Sequence, residues 1–369
     1  MQQRQSNPSC PPNDSLPFRR LARLSQLFQD GFGSILAGFG PMSRHARAIS
    51  GADVAQISPA VSTSLLKAEL ASLPAGQQLV TSGQFQVYYG HAEQLPSCLH
   101  EIGRLRELTF RAAGEGTGKA SDVDPFDDYY LHLFVWDERA ETIVGAYRMG
   151  LADQIVARYG KHGLYTHSLF RYADRVLQAM NPAVELGRSF VRAEYQRSFA
   201  PLMLLWRGIG QFIVEHPQYA ILFGAVSISN DYEPASRRLM VDFLSANNIE
   251  ETLARHVKPR RPFRSSAEAA YDRAEFAALS DIEDVSRLVK QIERDSKGVP
   301  ILLKQYLKLG GRLLAFSADE QFNDALDGLI MVDLRASDPR VLARYMGEEG
   351  AAKFLGCHGD APNARRQAS

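Results

Sequence analysis

The order of apolar patterns between residues 85 and 247 constrains the fold more than any other feature of this chain. Residues 85–89 have the aromatic and β-branched content of a strand, and residues 95–110 have helical spacing. Residues 129–136 and 142–149 then flank Asp137-Glu138-Arg139 as the arms of a hairpin, and Val144-Gly145 allows another backbone to come close. A strand over 184–191, a helix over 201–215, a short apolar strand over 220–227 and a helix over 234–247 follow. Strands joined partly by hairpins and partly by helices predict an α/β chain, its mixed central sheet flanked by helices. After Lys258, Pro259-Arg260-Arg261-Pro262-Phe263-Arg264 reads as a basic hinge. A helix over 282–295, an apolar segment at 301–309 and strands over 312–316 and 329–334 supply further C-terminal elements.

The chain of 369 residues divides on this pattern into a flexible N-terminal extension (1–80), an α/β domain (81–355) and a disordered tail (356–369). Residues 1–15 are polar and proline-rich. At helical spacing Phe18, Leu21, Leu24, Leu27 and Phe28 fall opposite Arg19, Arg20 and Arg23, a basic amphipathic helix suited either to an anionic membrane surface or to docking on its own domain. Residues 41–80 read as a linker with one helical stretch over 61–73. The 42 basic and 42 acidic side chains cancel, which argues against a nucleic-acid partner, since such a role normally brings a basic excess. Cys10, Cys98 and Cys357 form neither a disulfide framework nor a zinc pair, and no His, Cys or carboxylate spacing predicts a metal. With no apolar run near the ~20 residues of a membrane span and no signal-peptide pattern, a cytoplasmic chain is expected, at most peripheral on the inner face of the membrane.

Three clusters carry candidate chemistry. The first, Arg104 to Arg111, ends the first helix before the glycines at 114, 116 and 118, which predict a mobile loop; arginines in a last turn also suit the helix dipole. The second places Asp124, Asp127 and Asp128 before Tyr129, Tyr130 and His132, an arrangement suited to an amine or cation, with His132 either a base or a structural histidine. The third is Val184-Glu185-Leu186-Gly187-Arg188-Ser189-Phe190-Val191. A carboxylate inside an apolar strand is unfavourable unless it is paired or functional. In a regular strand Glu185 and Arg188 face opposite ways, so pairing them requires a bulge. Gly187 leaves room for a ligand against the backbone, whose amides suit a developing oxyanion.

Taken in order, Leu105-Arg106-Glu107 to Phe110-Arg111, the 127–132 segment and Glu185-Leu186-Gly187-Arg188-Ser189 resemble the bacterial ornithine-lipid (hemolysin-like) N-acyltransferases of the GNAT superfamily, distant relatives of the acyl-homoserine-lactone synthases. The likeness continues through Leu205-Trp206-Arg207-Gly208-Ile209, Leu222-Phe223-Gly224, residues 299–303 and 306–310, Phe322-Asn323 and Asp327, spanning roughly residues 84–335. It implies transfer of a fatty acyl group from acyl-ACP, without a bound cofactor, to the α-amine of an amino acid, ornithine being the family's best-known acceptor. The alternatives are an acyl-homoserine-lactone-type synthase and a non-catalytic acyl or carrier-protein binding module.

On the family reading Glu185 is the base, backbone amides near Gly187 hold the oxyanion, and Arg106, Arg111 and Arg188 are candidates for the acceptor carboxylate. Asp127 and Asp128 would hold a second ammonium; the alternative is that these arginines and aspartates form a structural ion-pair network. After the strand ending at Val191 stands Gln196-Arg197-Ser198-Phe199-Ala200-Pro201, which lacks the glycines that cradle the pyrophosphate of coenzyme A. A carrier protein offers the same pantetheine arm without that nucleotide. Lys258, Arg260 and Arg261 form a basic segment suited to docking an acidic carrier, to anionic phospholipid, or to a solvated linker.

Overall fold

The computed structural model describes residues 54–264, 276–277 and 279–359. Its centre is an eight-stranded sheet in the order β1-β2-β3-β4-β6-β7-β10-β9. The strands are β1 (Gln78–Ser82), β2 (Phe85–His91), β3 (Leu131–Asp137), β4 (Thr142–Leu151), β6 (Ala183–Val191), β7 (Ile221–Ile228), β9 (Arg312–Asp319) and β10 (Ala325–Asp333). All neighbours are antiparallel except β6 and β7, which makes the sheet mixed as the pattern predicts.

β3 shows why these residues form a central strand. All seven of its residues are buried, because both faces of the sheet are covered. Alternation sends Phe134 and Trp136 into one cluster with Cys98, Ile102 and Leu105 of α2 (Pro96–Ala112), while Leu133 and Val135 join Leu205, Trp206, Ile209 and Phe212 of α5 (Ala200–Glu215). Both helices carry proline in the first turn, where no amide hydrogen bond is lost.

The parallel pair positions the site. β6 and β7 are in register from Ala183↔Ile221 to Leu186↔Gly224 and then separate, β6 staying with β4 and β7 with β10. Past Leu186 the sheet therefore opens as a wedge.

α1 (Thr63–Ser72) is the helical stretch expected over 61–73; it buries Leu66 in the α2 cluster, and β1 pairs with β2 across residue 80, so residues 63–82 are built into the fold rather than a flexible extension. The structure adds elements that the patterns did not resolve. α3 (Ala152–Tyr159), β5 (Phe170–Tyr172) and α4 (Asp174–Met180) lie between β4 and β6, each too short for a periodic signal. α6 (Pro234–Asn247) is followed by the single turn α7 (Glu251–Ala254) and by β8 (Val257–Pro259). β8 pairs with β5, so the start of the supposed hinge is a strand. α8 (Ile282–Ile292) is as expected, and residues 301–308 form a helix, α9 (Ile301–Lys308), starting after Pro300. Two unanticipated helices, α10 (Pro339–Met346) and α11 (Glu348–Cys357), pack on α5. The basic amphipathic helix and most of the C-terminal tail lie outside the described residues. Among the described residues no helix is long and apolar enough to cross a membrane.

Candidate active site

Glu185 is 1% exposed and stands on the part of β6 that β7 still covers. Its Oε1 accepts the Thr166 amide at 2.7 Å, and its Oε2 accepts the Tyr165 amide at 3.1 Å and the Tyr130 hydroxyl. Three donors satisfy the buried carboxylate and fasten the Tyr165–Ser168 turn to the sheet.

β6 carries a bulge opposite β4. Ala146 faces Phe190 and Arg148 faces Gly187, so β6 has two residues, Arg188 and Ser189, where β4 has only Tyr147. Arg188 takes a positive φ of 50°, unusual for a residue with a side chain. The turn brings Arg188 toward the residue that Glu185 anchors: its Nη1 lies 3.3 Å from the Tyr165 hydroxyl.

Behind this strand three arginines meet three aspartates. Arg106, fully buried, forks onto Asp127 at 2.9 and 2.7 Å and donates to the Asp122 carbonyl at 3.0 Å. Arg148 Nη1 lies 2.6 Å from Asp124 Oδ1 and 3.3 Å from Asp127 Oδ1. Arg188 reaches Asp122 and Asp124 at 3.3 Å each. Burial pushes the Asp127 carboxyl up, but Arg106 and Arg148 outweigh it and hold it well below the usual carboxylate range. His132 Nε2 meets the Asp127 carbonyl at 2.9 Å, and burial pulls its pKa down to about 4, as suits a structural, neutral imidazole. Arg111 pairs with Glu107 at 2.8 Å, and Glu107 also takes the Thr117 and Gly118 amides, so the glycine loop is tied down rather than loose. Asp128 is exposed.

The wedge between β6 and β7 holds a cavity of about 350 Å³. One part of its wall is apolar, with Phe110, Leu186, Phe190, Val191, Leu202, Val226, Ile301 and Leu302. Gly187 lines it, and a Cβ there would meet nothing within 4 Å. The other part is charged: Arg188, Glu115, Asp319 and Asp327, with Ser227 and Tyr165. Asp327 stands between Ser227 of β7 and Ser317 of β9, and its Oδ1 accepts the Ser227 hydroxyl at 2.9 Å. Burial, then the charge of Asp319, pushes the Asp327 carboxyl up to about 7. Burial, then Asp327, Asp231 and Asp319, pushes Glu115 up to about 8. Arg188 lies over the rings of Phe322 and Tyr165, at 4.3 and 4.8 Å.

A split parallel pair, a bulge on the strand that diverges and a half-apolar cavity between them form a thioester-sized slot. A family model described as an acetyltransferase (GNAT) domain matches residues 105–207, which run from α2 into α5. A glycine N(alpha)-acyltransferase of Phocaeicola vulgatus is 32% identical over 267 residues, 69% of this chain and 81% of that protein. Another of the same name, from Bacteroides thetaiotaomicron, is 32% identical over 299 residues, 76% of this chain and 87% of the relative. The chain belongs to the GNAT-type N-acyltransferases. No solved structure matches it at a significant level.

Of the sequence-predicted residues of this N-acyltransferase, Gly187 and Arg188 line the cavity, whereas Glu185, Arg106, Arg111, Asp127 and Asp128 do not. Lys258, Arg260 and Arg261 are exposed. Arg260 Nε donates to the His167 carbonyl at 2.9 Å, Arg261 pairs with Glu320, and Lys258 stands opposite Arg171 on β5. Among the described residues no three of His, Cys, Asp or Glu converge as a metal-binding set. Sequence reasoning passed over Glu115 and Asp319, and gave Asp327 no role. The signal that marked Glu185, a carboxylate inside an apolar strand, was present at Asp327 as well, between Leu326 and Gly328.

Proposed function

We propose that this N-acyltransferase transfers a fatty acyl group from acyl carrier protein to the α-amine of an amino acid, and that the acceptor is ornithine. The supporting observation is the two-part lining of the cavity. Its apolar wall suits an acyl chain. Its charged wall offers one guanidinium, Arg188, to a carboxylate and three carboxylates to ammonium groups. Ornithine has one carboxylate and two ammonium groups. The name of the two Bacteroidota relatives favours a second reading, glycine, which needs fewer of these contacts.

In this reading the acyl carbonyl lies against Gly187, where backbone amides of the diverging strand stabilise the tetrahedral oxyanion. Glu185 acts as a positioning residue, because its two oxygens already serve Tyr130, Tyr165 and Thr166. Arg106, Arg148, Asp124 and Asp127 hold Arg188 in place, and Arg111 holds the loop that carries Glu115. The glycine-free turn before α5 favours a carrier-bound thioester over coenzyme A. Exposed Arg171, Lys258, Arg260 and Arg261 offer an acidic carrier complementary charge.

The test is purified protein with acyl-ACP or acyl-CoA of one chain length and a panel of ornithine, glycine, lysine and glutamine, followed by mass spectrometry. N-acylornithine formed with a higher kcat/KM from acyl-ACP is the expected result. A dominant N-acylglycine product replaces ornithine as acceptor, and equal efficiency with acyl-CoA removes the carrier assignment.

A further inference from the structure

The reaction needs a proton acceptor that touches the amine, and Glu185 is neither in the cavity wall nor short of partners. The charged wall supplies another carboxylate. Asp327 is 4% exposed, its Oδ1 accepts the Ser227 hydroxyl at 2.9 Å, and the residue lines the cavity. Asp319, 5% exposed, lies on the neighbouring strand with its Oδ2 3.3 Å from the Tyr165 hydroxyl. Glu115 reaches the same cavity from the loop after α2.

Tyr147, 2% exposed, lines the same space, and its hydroxyl lies against the side chains of Ser189 and Tyr306.

Resting on the acyltransfer reading above, we infer that Asp327 is the general base of this enzyme, with Asp319 and Glu115 as the groups that tune it. The acceptor's ammonium docks between these carboxylates. The Asp327 carboxylate takes one N–H proton from that ammonium and releases it to solvent, leaving a neutral amine. As the amine nitrogen attacks the thioester carbon, the N–C bond forms, the carbonyl electron pair moves to oxygen, and Asp327 takes the nitrogen's second proton. Collapse of the tetrahedral intermediate then breaks the C–S bond. The departing pantetheine thiolate takes the proton that Asp327 holds, which restores the carboxylate.

The electrostatics support the assignment. Burial and Asp319 raise the Asp327 carboxyl to about 7, Arg188 opposes them, and the Ser227 hydroxyl bond also lowers it. An ordinary aspartate is too weak a base for an amine, whereas one that titrates near neutral pH is both ionised and basic enough to work. Glu115, raised by burial and by Asp327, Asp231 and Asp319, belongs to the same coupled titration.

The test measures acylation of the amino-acid acceptor and of hydroxylamine, a neutral nucleophile that needs little help from a base, between pH 5 and 9. Asp327→Asn should lower kcat for the amino acid by ~10²-fold or more at pH 7. Its KM for the amino acid should rise as well, because one of the carboxylates facing the ammonium is lost, and its hydroxylamine acylation should fall much less. Asp319→Asn should move the acid limb of kcat/KM to lower pH, because a like charge is removed while the acceptor's own pKa is unchanged. Loss of both acylations together in a folded Asp327→Asn protein overturns the inference, and so does a raised KM with unaltered kcat. An Asp319→Asn profile that coincides with the parent's also overturns it, and that variant decides the matter if Asp327→Asn does not fold. If the preferred acceptor is not ornithine but the acid limb still moves in Asp319→Asn, the base stands and only the acceptor is reassigned.

Discussion

Replacing Glu185 by glutamine separates a base from a brace. The carboxylate accepts the Thr166 amide at 2.7 Å, the Tyr165 amide at 3.1 Å and the Tyr130 hydroxyl. A glutamine in the same rotamer keeps the Thr166 bond through its carbonyl oxygen. Its NH2 group then donates to the Tyr130 oxygen, which still accepts the Tyr165 amide at 3.0 Å and turns its proton to the Gly163 carbonyl at 3.3 Å. The Tyr165 amide keeps an acceptor, but the second N–H of the new amide faces that N–H, and charge-assisted bonds become neutral ones, a loss of about 1 kcal/mol each. The expected destabilisation is therefore roughly 1–3 kcal/mol, read from urea denaturation at pH 7. Turnover should stay within about tenfold of the parent, since the groups lining the cavity keep their partners, whereas loss of a base removes ~10²–10⁴. Glu185→Ala should be worse on stability, because the Thr166 amide is left without an acceptor. Parental stability in Glu185→Gln together with a hundredfold loss of kcat would refute this reasoning and return Glu185 to the chemical step.

Three further outcomes are expected. Asp327→Asn should be more stable than the parent at pH 8: a carboxyl raised from 3.8 to about 7 in the fold lends stability when protonated, and that stability is lost as pH rises from about 4 to 7. The gain, shared with the coupled Asp319, should be on the order of 2–4 kcal/mol at pH 8 and much smaller at pH 5, as chemical denaturation at the two values will show. Gly187→Ala should fold normally, because a Cβ there enters open space, yet lower kcat/KM about tenfold or more by holding the thioester off the strand; parental kinetics would mean that no close approach occurs. Alanine at Lys258, Arg260 and Arg261 together should raise KM for acyl-ACP about tenfold at low salt and leave a short pantetheine thioester donor unaffected; equal changes with both donors would exclude carrier docking there.

The sheet was legible in the sequence because its strands are apolar, long and bounded by turns. β3, β4, β6 and β7 appear close to their expected limits. The elements between residues 152 and 180 were not, since pieces of three to eight residues complete no period of their own and are held by contacts with distant strands. Nor was the bulge legible: the pattern said only that Glu185 and Arg188 could not pair without one, and in the fold each has other partners. What could not be read was which charges face each other. Asp124, Asp127 and Arg106 form a suggestive cluster in one dimension, and in three they satisfy Arg148 and one another. Glu115, Asp319 and Asp327 are scattered over more than two hundred positions, and only the β7-β10-β9 pairing brings the last two beside the wedge.

The two groups of buried charge differ in balance, and balance assigns their work. Arg106, Arg148 and Arg188 meet Asp122, Asp124 and Asp127, three positive charges against three negative, linked by contacts of 2.6 to 3.6 Å. Such a set is costly to break and indifferent to substrate, so it fixes geometry. The second group has three carboxylates in the cavity wall, with Arg188 beside them. Burial, and then repulsion from neighbouring carboxylates, is why Asp327 and Glu115 hold protons well above the usual carboxylate range. An ammonium group docking there supplies the missing cation and pulls those carboxyls back toward ionisation, so that Asp327 is deprotonated when the amine that must lose a proton is beside it. Arg188, held by the first group and lining the second, sets the distance between the fixed scaffold and the chemistry.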